Sequence, residues 1–572
     1  MEPHSTIIGS IERKAPLWPL WIVFAVAGIM SLAAASWWAP TYDEPNHLEM
    51  GQQILSSWDF SRFDNSKMPV SLFNAIGWNI GELLGASTRW CWWWARLPQI
   101  GWLLGSAWIV FIWVREHHGY LSALAATSLV AFDPNLQAHS VLVTTDAPCT
   151  FFVLLCSYLW SKTLSQPTKR GAALTGIVLG AAQAVKFTSI FLVPILAIMT
   201  LIWALKHRQW PKSFLVPIVA VSALLSLNFA YSWQGSFSRA DTIEWRSDTF
   251  AGLAEAPIPL PVPRPWIEGL DWVKSDDDMG HGNIYLNGEM TNEGRNDYYL
   301  QTMARKFPIP LILLGIAGIF SRKREGSDVI GLTVPPLFLL CWFSFAFNFQ
   351  LGLRYVLPVI PFVAMFAARL NWLIVGAGAG LVLVSNLLAW PWGISYMNEA
   401  TPKHDAWRYL ADSNLDWGQG EWRVDLWRRY HQPDGIVNPQ VPAPGPMLVS
   451  ANALTGVLGD PARLACLRES FPPTGSYASH LYNYDLTVQD YTACFEEVTV
   501  LGHDAGEYPS GDHLVIMKFR GTGELTIGDL TLSGESSGEI LLGAVVHAEA
   551  PFDVEMEHEG WDLALFIDGI EQ

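Results

Sequence analysis

The chain has 572 residues, 51% of them hydrophobic, and 29 are tryptophan. Its apolar runs recur at roughly the 20 residues that cross a bilayer, which excludes a water-soluble single domain and implies a polytopic membrane protein. The formal net charge of −18 sits in the tail, because residues 1–400 hold 26 acidic and 26 basic side chains whereas 401–572 hold 27 and 9. An acidic tail with no basic stripe argues against a nucleic-acid partner.

Glu12-Arg13-Lys14 precedes the first apolar run, roughly 17–38. Basic residues beside a first span stay in the cytoplasm. The run is too long for a removable signal peptide and no small-residue cleavage site follows it, so it reads as an anchor. Thr41-Tyr42-Asp43-Glu44-Pro45-Asn46-His47-Leu48 then opens an outer loop over 39–98. Adjacent carboxylates beside hydrocarbon are costly and call for either solvent or a task. Within this loop, residues 44–58 space Leu48, Ile54 and Leu55 as in a helix lying along the membrane surface.

A second span, about 99–114, returns to Arg115-Glu116-His117-His118, and a third, about 119–133, leads to an outer loop over 134–147. That loop carries His139 and Thr144-Thr145-Asp146-Ala147-Pro148, another carboxylate on the same side. Span four runs inward to Lys162, Lys169 and Arg170; spans five and six, about 171–186 and 188–205, place Lys186 at their outer tip. Span seven, about 213–231, opens the largest outer loop, 232–306, and loops of that length are usually functional. Span eight starts near Pro308 and ends at Arg322-Lys323-Arg324, and the last three cover about 329–349, 355–368 and 372–393. Eleven crossings from an inner N-terminus put the basic clusters inside, loop residues aside, and leave the tail outside.

The tail divides in two. Residues 394–507 mix helical and strand-like stretches around a Pro-rich linker at 438–446, giving an extracytoplasmic α/β domain. From 508 to 572 the apolar pattern alternates between glycine turns, as in a small β-sandwich-like module. Its Trp561 could stack on a sugar, although a lone tryptophan in such a module is more often core. The six cysteines form no Cys-x-x-Cys pair; Cys466 and Cys494 fall in the tail, where they could form a disulfide or remain two small buried thiols.

Taken together, a first outer loop opening with Asp43-Glu44, a second holding Thr144-Thr145-Asp146-Ala147-Pro148, the outer-end Lys186-Phe187-Thr188 and the late Arg354-Tyr355-x-x-Pro358 carry a resemblance. Over roughly residues 15–420 the chain resembles the lipid-carrier-dependent glycosyltransferases of the GT-C superfamily, and most of all their protein O-mannosyltransferase and aminoarabinose-transferase branch. Asp412-Ser413-Asn414-Leu415-Asp416-Trp417-Gly418-Gln419 is similar to a stretch found after the last span in bacterial members.

The resemblance implies a transferase that takes a sugar from a polyprenyl-phosphate donor and gives it to an extracytoplasmic acceptor. It implies an inverting displacement with a first-loop acid as general base. An acceptor hydroxyl is a poor nucleophile, so a carboxylate must take its proton during attack. Asp43 is the candidate base, and Glu44 would raise its proton affinity or position the acceptor. The same residues also read as a helix start, with Thr41 or Asp43 capping and Pro45 in the first turn. His47 could contact acceptor or donor phosphate, or be an ordinary interfacial histidine. Asp146 faces the first-loop acid in the family, for substrate or a metal ion, and also suits the N-terminus of span four. His139 is a further substrate candidate.

The leaving lipid phosphate needs cations at headgroup depth, for which Lys186 and Arg354, with Tyr355, are placed, unless the two chains merely snorkel. In the large loop His281 and Tyr298 match the family pattern of side chains closing over the cavity, whereas Arg295-Asn296-Asp297 departs from the Gly-Trp-rich residues found there, which bears on the acceptor. Metal dependence stays open. The character of the tail suggests a bacterial inner membrane. Two other classes are compatible with the composition: a transporter or flippase, and a non-catalytic envelope-assembly subunit.

Overall fold

The computed structural model describes residues 16–61, 68–280, 283–321, 329–430, 435–439, 442, 445–459, 461–487, 490, 496–500, 508, 511–527, 530–548, 553–567 and 570–571. It forms two compact units. One comprises residues up to Ile284 with Thr291–Pro402 and Trp417–Gln419; the other comprises Tyr285–Met290, Lys403–Asp416 and the chain from Gly420 on.

The first unit is helical. In chain order it holds α1 (Trp18–Ala35), α2 (Glu44–Ser57), α3 (Leu72–Leu83), α4 (Thr88–Ala131), α5 (Pro134–His139), α6 (Asp146–Ser165), α7 (Lys169–Gln183), α8 (Leu192–His207) and α9 (Leu215–Ala230). After the large loop, which contains α10 (Arg264–Met279) and α11 (Tyr298–Lys306), follow α12 (Ile309–Phe320), α13 (Val329–Phe345), α14 (Val359–Ala367) and α15 (Trp372–Ala389).

Four of these helices are long and apolar enough to cross a membrane among the described residues: Trp18–Ala35, Thr88–Ala131, Phe187–His207 and Trp372–Ala389. The pair α11 and α12, bent by 116°, would make a fifth if it is one span. The chain is therefore an integral membrane protein with several apolar helices. Several of the other expected crossings coincide with shorter helices, such as the nine residues of α14, whereas the fourth coincides with the 20 residues of α6.

Local sequence explains several departures from the expected boundaries. Helix α4 begins at Thr88, well before the expected start near 99, and runs on through Arg115 to His118. It breaks at Gly119, whose φ of 81° favours a residue without a Cβ. The expected turn between spans two and three is thus a kink one residue beyond the basic cluster. Lys162 at the end of α6 meets Glu116 at 2.7 Å, so the kink and that helix end lie at the same end of the bundle. Helices α7 and α9 approach closely because Gly176 and Gly180 carry no side chain: a Cβ at Gly180 would lie 2.1 Å from the Ala223 carbonyl. Small residues four apart allow such contact where lipid supplies no hydrophobic drive between helices.

The helix expected over residues 44–58 is α2. It buries His47, Leu48, Met50, Gly51 and Ile54 on one stripe.

In the second unit, a four-stranded sheet runs in the order Ile436–Val437, Gly445–Ser450, Leu481–Leu486, Gly475–Tyr477, with only the first pair parallel. The all-β ending belongs to a five-stranded sheet ordered Ile570–Glu571, Val554–Ile567, Gly511–Ile527, Leu530–Ala548, Glu496–Val500. Alternation puts Val515, Met517, Leu525 and Ile527 on a buried face with Val546 and Leu565. The segments expected to be separated by a glycine turn near Gly521 are one strand, with a register shift between Arg520 and Gly521 absorbing the irregularity. Cys466 is disulfide-bonded. Cys494 and the Trp561 side chain lie outside the described residues.

Candidate active site

Four short pieces of backbone bring the charged residues together. Asp43 is the residue before α2, Asp146 opens α6, Lys186 precedes a 3-10 turn at Phe187–Phe191, and Arg354 and Tyr355 sit in a second 3-10 turn, Leu353–Tyr355. Carboxylates in a first helical turn suit the positive end of the helix dipole. The Leu353–Tyr355 turn is set by Gly352, whose φ of 69° bends the chain and whose N–H donates to the Tyr298 hydroxyl at 3.0 Å. Tyr298 is buried and reaches the site through this bond rather than through the cavity wall.

One cavity is lined by Asp43, His47, Asp146, Lys186, Arg354 and Tyr355, together with Asn46 and Asp276. Inside it the charges are paired. Arg354 Nη1 donates to Asp43 Oδ2 at 2.6 Å, and Lys186 Nζ donates to Asp146 Oδ1 at 2.5 Å. The pairs differ in exposure, since the Asp43 side chain is 30% exposed and that of Asp146 only 2%. Tyr355 lies between the cations, its ring 4.6 Å from Lys186 Nζ and 5.9 Å from Arg354 Cζ. Trp417 offers its ring face to Arg354 at 4.7 Å and lies tilted against the His139 ring, the ring centres 6.0 Å apart.

His139 stands behind Asp146, with Nδ1 3.7 Å from Asp146 Oδ2. Burial pushes its imidazole below the ordinary histidine value, against the pull of Asp146. Among the described residues no three His, Cys, Asp or Glu side chains converge as metal ligands.

Glu44 is placed differently from its neighbour. It is fully buried, does not line the cavity, and accepts from Arg96 at 2.6 and 2.9 Å, from the Thr41 N–H at 2.8 Å and from the Val143 N–H at 2.8 Å. Both the Thr41 bond and Pro45 in the first turn fit the helix-start reading of this motif. His281 lies outside the described residues.

A second, mainly apolar groove shares Phe187, Thr188 and Val273 with the cavity and continues along Ile190, Phe191, Leu270, Trp342 and Phe347. A charged pocket and a mainly apolar groove thus share one wall. Sequence reasoning passed over Asp276, Trp417 and Arg96. Trp417 lies in the 412–419 stretch that was noted only as a likeness, and a tryptophan beside glycine after the last span was its signal.

Residues 82–233 match the family model described as dolichyl-phosphate-mannose-protein mannosyltransferase. No curated protein matches the chain. Among solved structures, ArnT from Cupriavidus metallidurans bound to undecaprenyl phosphate is similar at 16% identity and a TM-score of 0.45, over 69% of this chain and 70% of that one. The same protein in the apo state is similar at 16% identity and a TM-score of 0.43, over 68% and 67%.

Proposed function

We propose that the chain is a membrane glycosyltransferase drawing on a lipid-phosphate sugar, a reading supported by the family match over residues 82–233, and that it carries out a specific reaction. The enzyme moves one sugar from a polyprenyl-phosphate donor to a hydroxyl of an extracytoplasmic acceptor, with inversion at the anomeric carbon. The observation that carries this reading is a cavity in which Asp43, Asp146 and Asp276 meet Lys186 and Arg354, sharing a wall with a mainly apolar groove. The groove suits an isoprenoid chain and the cations suit its phosphate.

In this reading the acceptor oxygen attacks the anomeric carbon and its proton passes to Asp43. The bond from that carbon to the phosphate oxygen breaks, and the electron pair leaves with the lipid phosphate. Lys186 as a point charge and Arg354 as a planar fork stabilise the charge that develops. Tyr355 holds the two cations apart, and Asp146, backed by His139, holds Lys186. Before the donor arrives Arg354 is engaged by Asp43. A phosphate taking Arg354 releases that carboxylate, which is the more exposed of the two and so the freer to turn toward an acceptor. His47 and Asn46, on the same face of the cavity, are placed to touch the substrates.

The proposal extends to topology. Eleven crossings from a cytoplasmic N-terminus put the cavity, and the chain from residue 394 on, at the periplasmic side of a bacterial inner membrane. The test is to supply purified protein in liposomes with a panel of polyprenyl-phosphate sugars and acceptors, and to determine the anomeric configuration of the product. Transfer with inversion is expected; transfer with retention contradicts the single-displacement mechanism, and no transfer from any lipid-phosphate sugar contradicts the reading itself.

A further inference from the structure

Arg96 is a charged residue on an apolar, tryptophan-rich stretch of α4, and both it and its partner Glu44 are completely buried. Such a group persists only when its donors are satisfied. Arg96 uses all five of its N–H donors. Nε and Nη2 fork onto Glu44 Oε1 and Oε2 at 2.9 and 2.6 Å. Nη1 donates to the Ala35 and Trp38 carbonyls at 2.9 and 3.0 Å, and Nη2 also to Ala39 at 3.0 Å. These carbonyls belong to the end of α1 and the segment after it, where a helix leaves acceptors unpaired and favours a cation.

Glu44 carries the link onward. Besides Arg96, it accepts from the Val143 N–H, three residues before Asp146. Gln99, one turn along α4 from Arg96, donates to the Thr144 carbonyl at 3.1 Å. One face of α4 therefore grips the loop that carries Asp43 and the loop that carries Asp146.

We infer that Arg96, acting through Glu44 and with Gln99, is a positioning residue that fixes the spacing of Asp43 and Asp146. Glu44 then serves the reaction without exchanging a proton with substrate. The inference rests on the transferase reading for its catalytic consequence, while its structural consequence stands apart from any reaction.

The test uses the full-length protein in liposomes and compares the wild type with Glu44→Gln, Gln99→Leu and Asp43→Asn. Two readouts are taken: kcat and KM for a polyprenyl-phosphate sugar as functions of pH, and amide hydrogen exchange over residues 39–47 and 140–147. Glu44→Gln keeps the shape and loses the charge facing Arg96. It is expected to lower kcat at least tenfold with the donor KM within about twofold, to leave the pH dependence of the residual activity in place, and to raise exchange in both loops together. Gln99→Leu leaves the ion pair intact and is expected to raise exchange only in 140–147, with a loss of kcat of a few fold.

Unchanged kcat and unchanged exchange in Glu44→Gln overturn the inference. Loss of a titrating limb of the pH profile overturns it as well, because Glu44 would then be a proton-transferring group. Should Glu44→Gln fail to fold, Gln99→Leu decides alone: wild-type exchange in 140–147 and wild-type kcat overturn the positioning role. If the wild type transfers no sugar, the transferase reading fails while the exchange comparison still tests the coupling of the loops.

Discussion

Two arginine–carboxylate pairs of equal length stand on neighbouring residues of one motif, and they do different things. Arg354–Asp43 and Arg96–Glu44 both close at 2.6 Å, yet the first lies on the wall of an open cavity and the second has no exposed side-chain surface. The first pair is partly exposed on the cavity wall, so a competing anion can reach and separate it. The second has every lone pair and donor committed, and separating it would strand a charge inside the protein. In the proposed mechanism it is burial, rather than residue type or spacing, that separates the carboxylate meeting substrate from the one holding the architecture.

That contrast gives graded expectations. The largest is for Asp43→Asn, which removes the proposed base and should lower kcat by about 10²–10⁴-fold, the range of general acid–base catalysis, with no loss of folding. Initial rates on matched amounts of folded protein check it. Next comes Glu44→Ala, which strands Arg96 and should lower stability by about 3–5 kcal/mol, as for other broken buried pairs. Replacing both partners, Glu44→Leu with Arg96→Met, should recover much of that stability without recovering activity, and thermal unfolding in detergent read beside turnover separates the two.

Lys186→Ala and Arg354→Ala should each cost about 10²–10³-fold in kcat, the scale of losing one preorganised charge stabiliser. Arg354→Lys should recover only part, since an ammonium lacks the planar fork. The smallest effect belongs to Lys162→Ala, at the end of α6 away from the cavity. Its pair with Glu116 is more than a third exposed on both sides, and such pairs contribute about 0.2–1 kcal/mol. Activity should stay at the wild-type level; a large loss there would mean that charge anywhere on the bundle matters, and the contrast between the two ends would collapse.

Much of the cavity was legible from sequence because its charges sit where charges are costly. Asp43, Asp146, Lys186 and Arg354 each stand at the end of an apolar run, and the alternation of spans brings those ends to one side. What spacing could not distinguish was depth. Asp43 and Glu44 are consecutive, so their separation came from α2 turning Glu44 inward toward a residue 52 positions away. Arg96 itself was hidden in the length assigned to the first outer loop, because α4 starts at Thr88 rather than near 99. A cation inside a run such as Trp92-Trp93-Trp94-Ala95-Arg96 was the available signal, since it demands a buried partner. The break in α4 falls where the third span was expected to start, at residue 119, because glycine there adopts the positive φ that the break requires.

The most direct test of the account is transfer from polyprenyl-phosphate sugars in reconstituted membranes by the wild type, Asp43→Asn and Lys186→Ala, with donor binding measured on the same preparations. The account predicts turnover by the wild type, binding without turnover in Asp43→Asn, and weakened binding together with weakened turnover in Lys186→Ala. Wild-type protein that binds the donors yet turns none over, with binding unaltered in both variants, would contradict it.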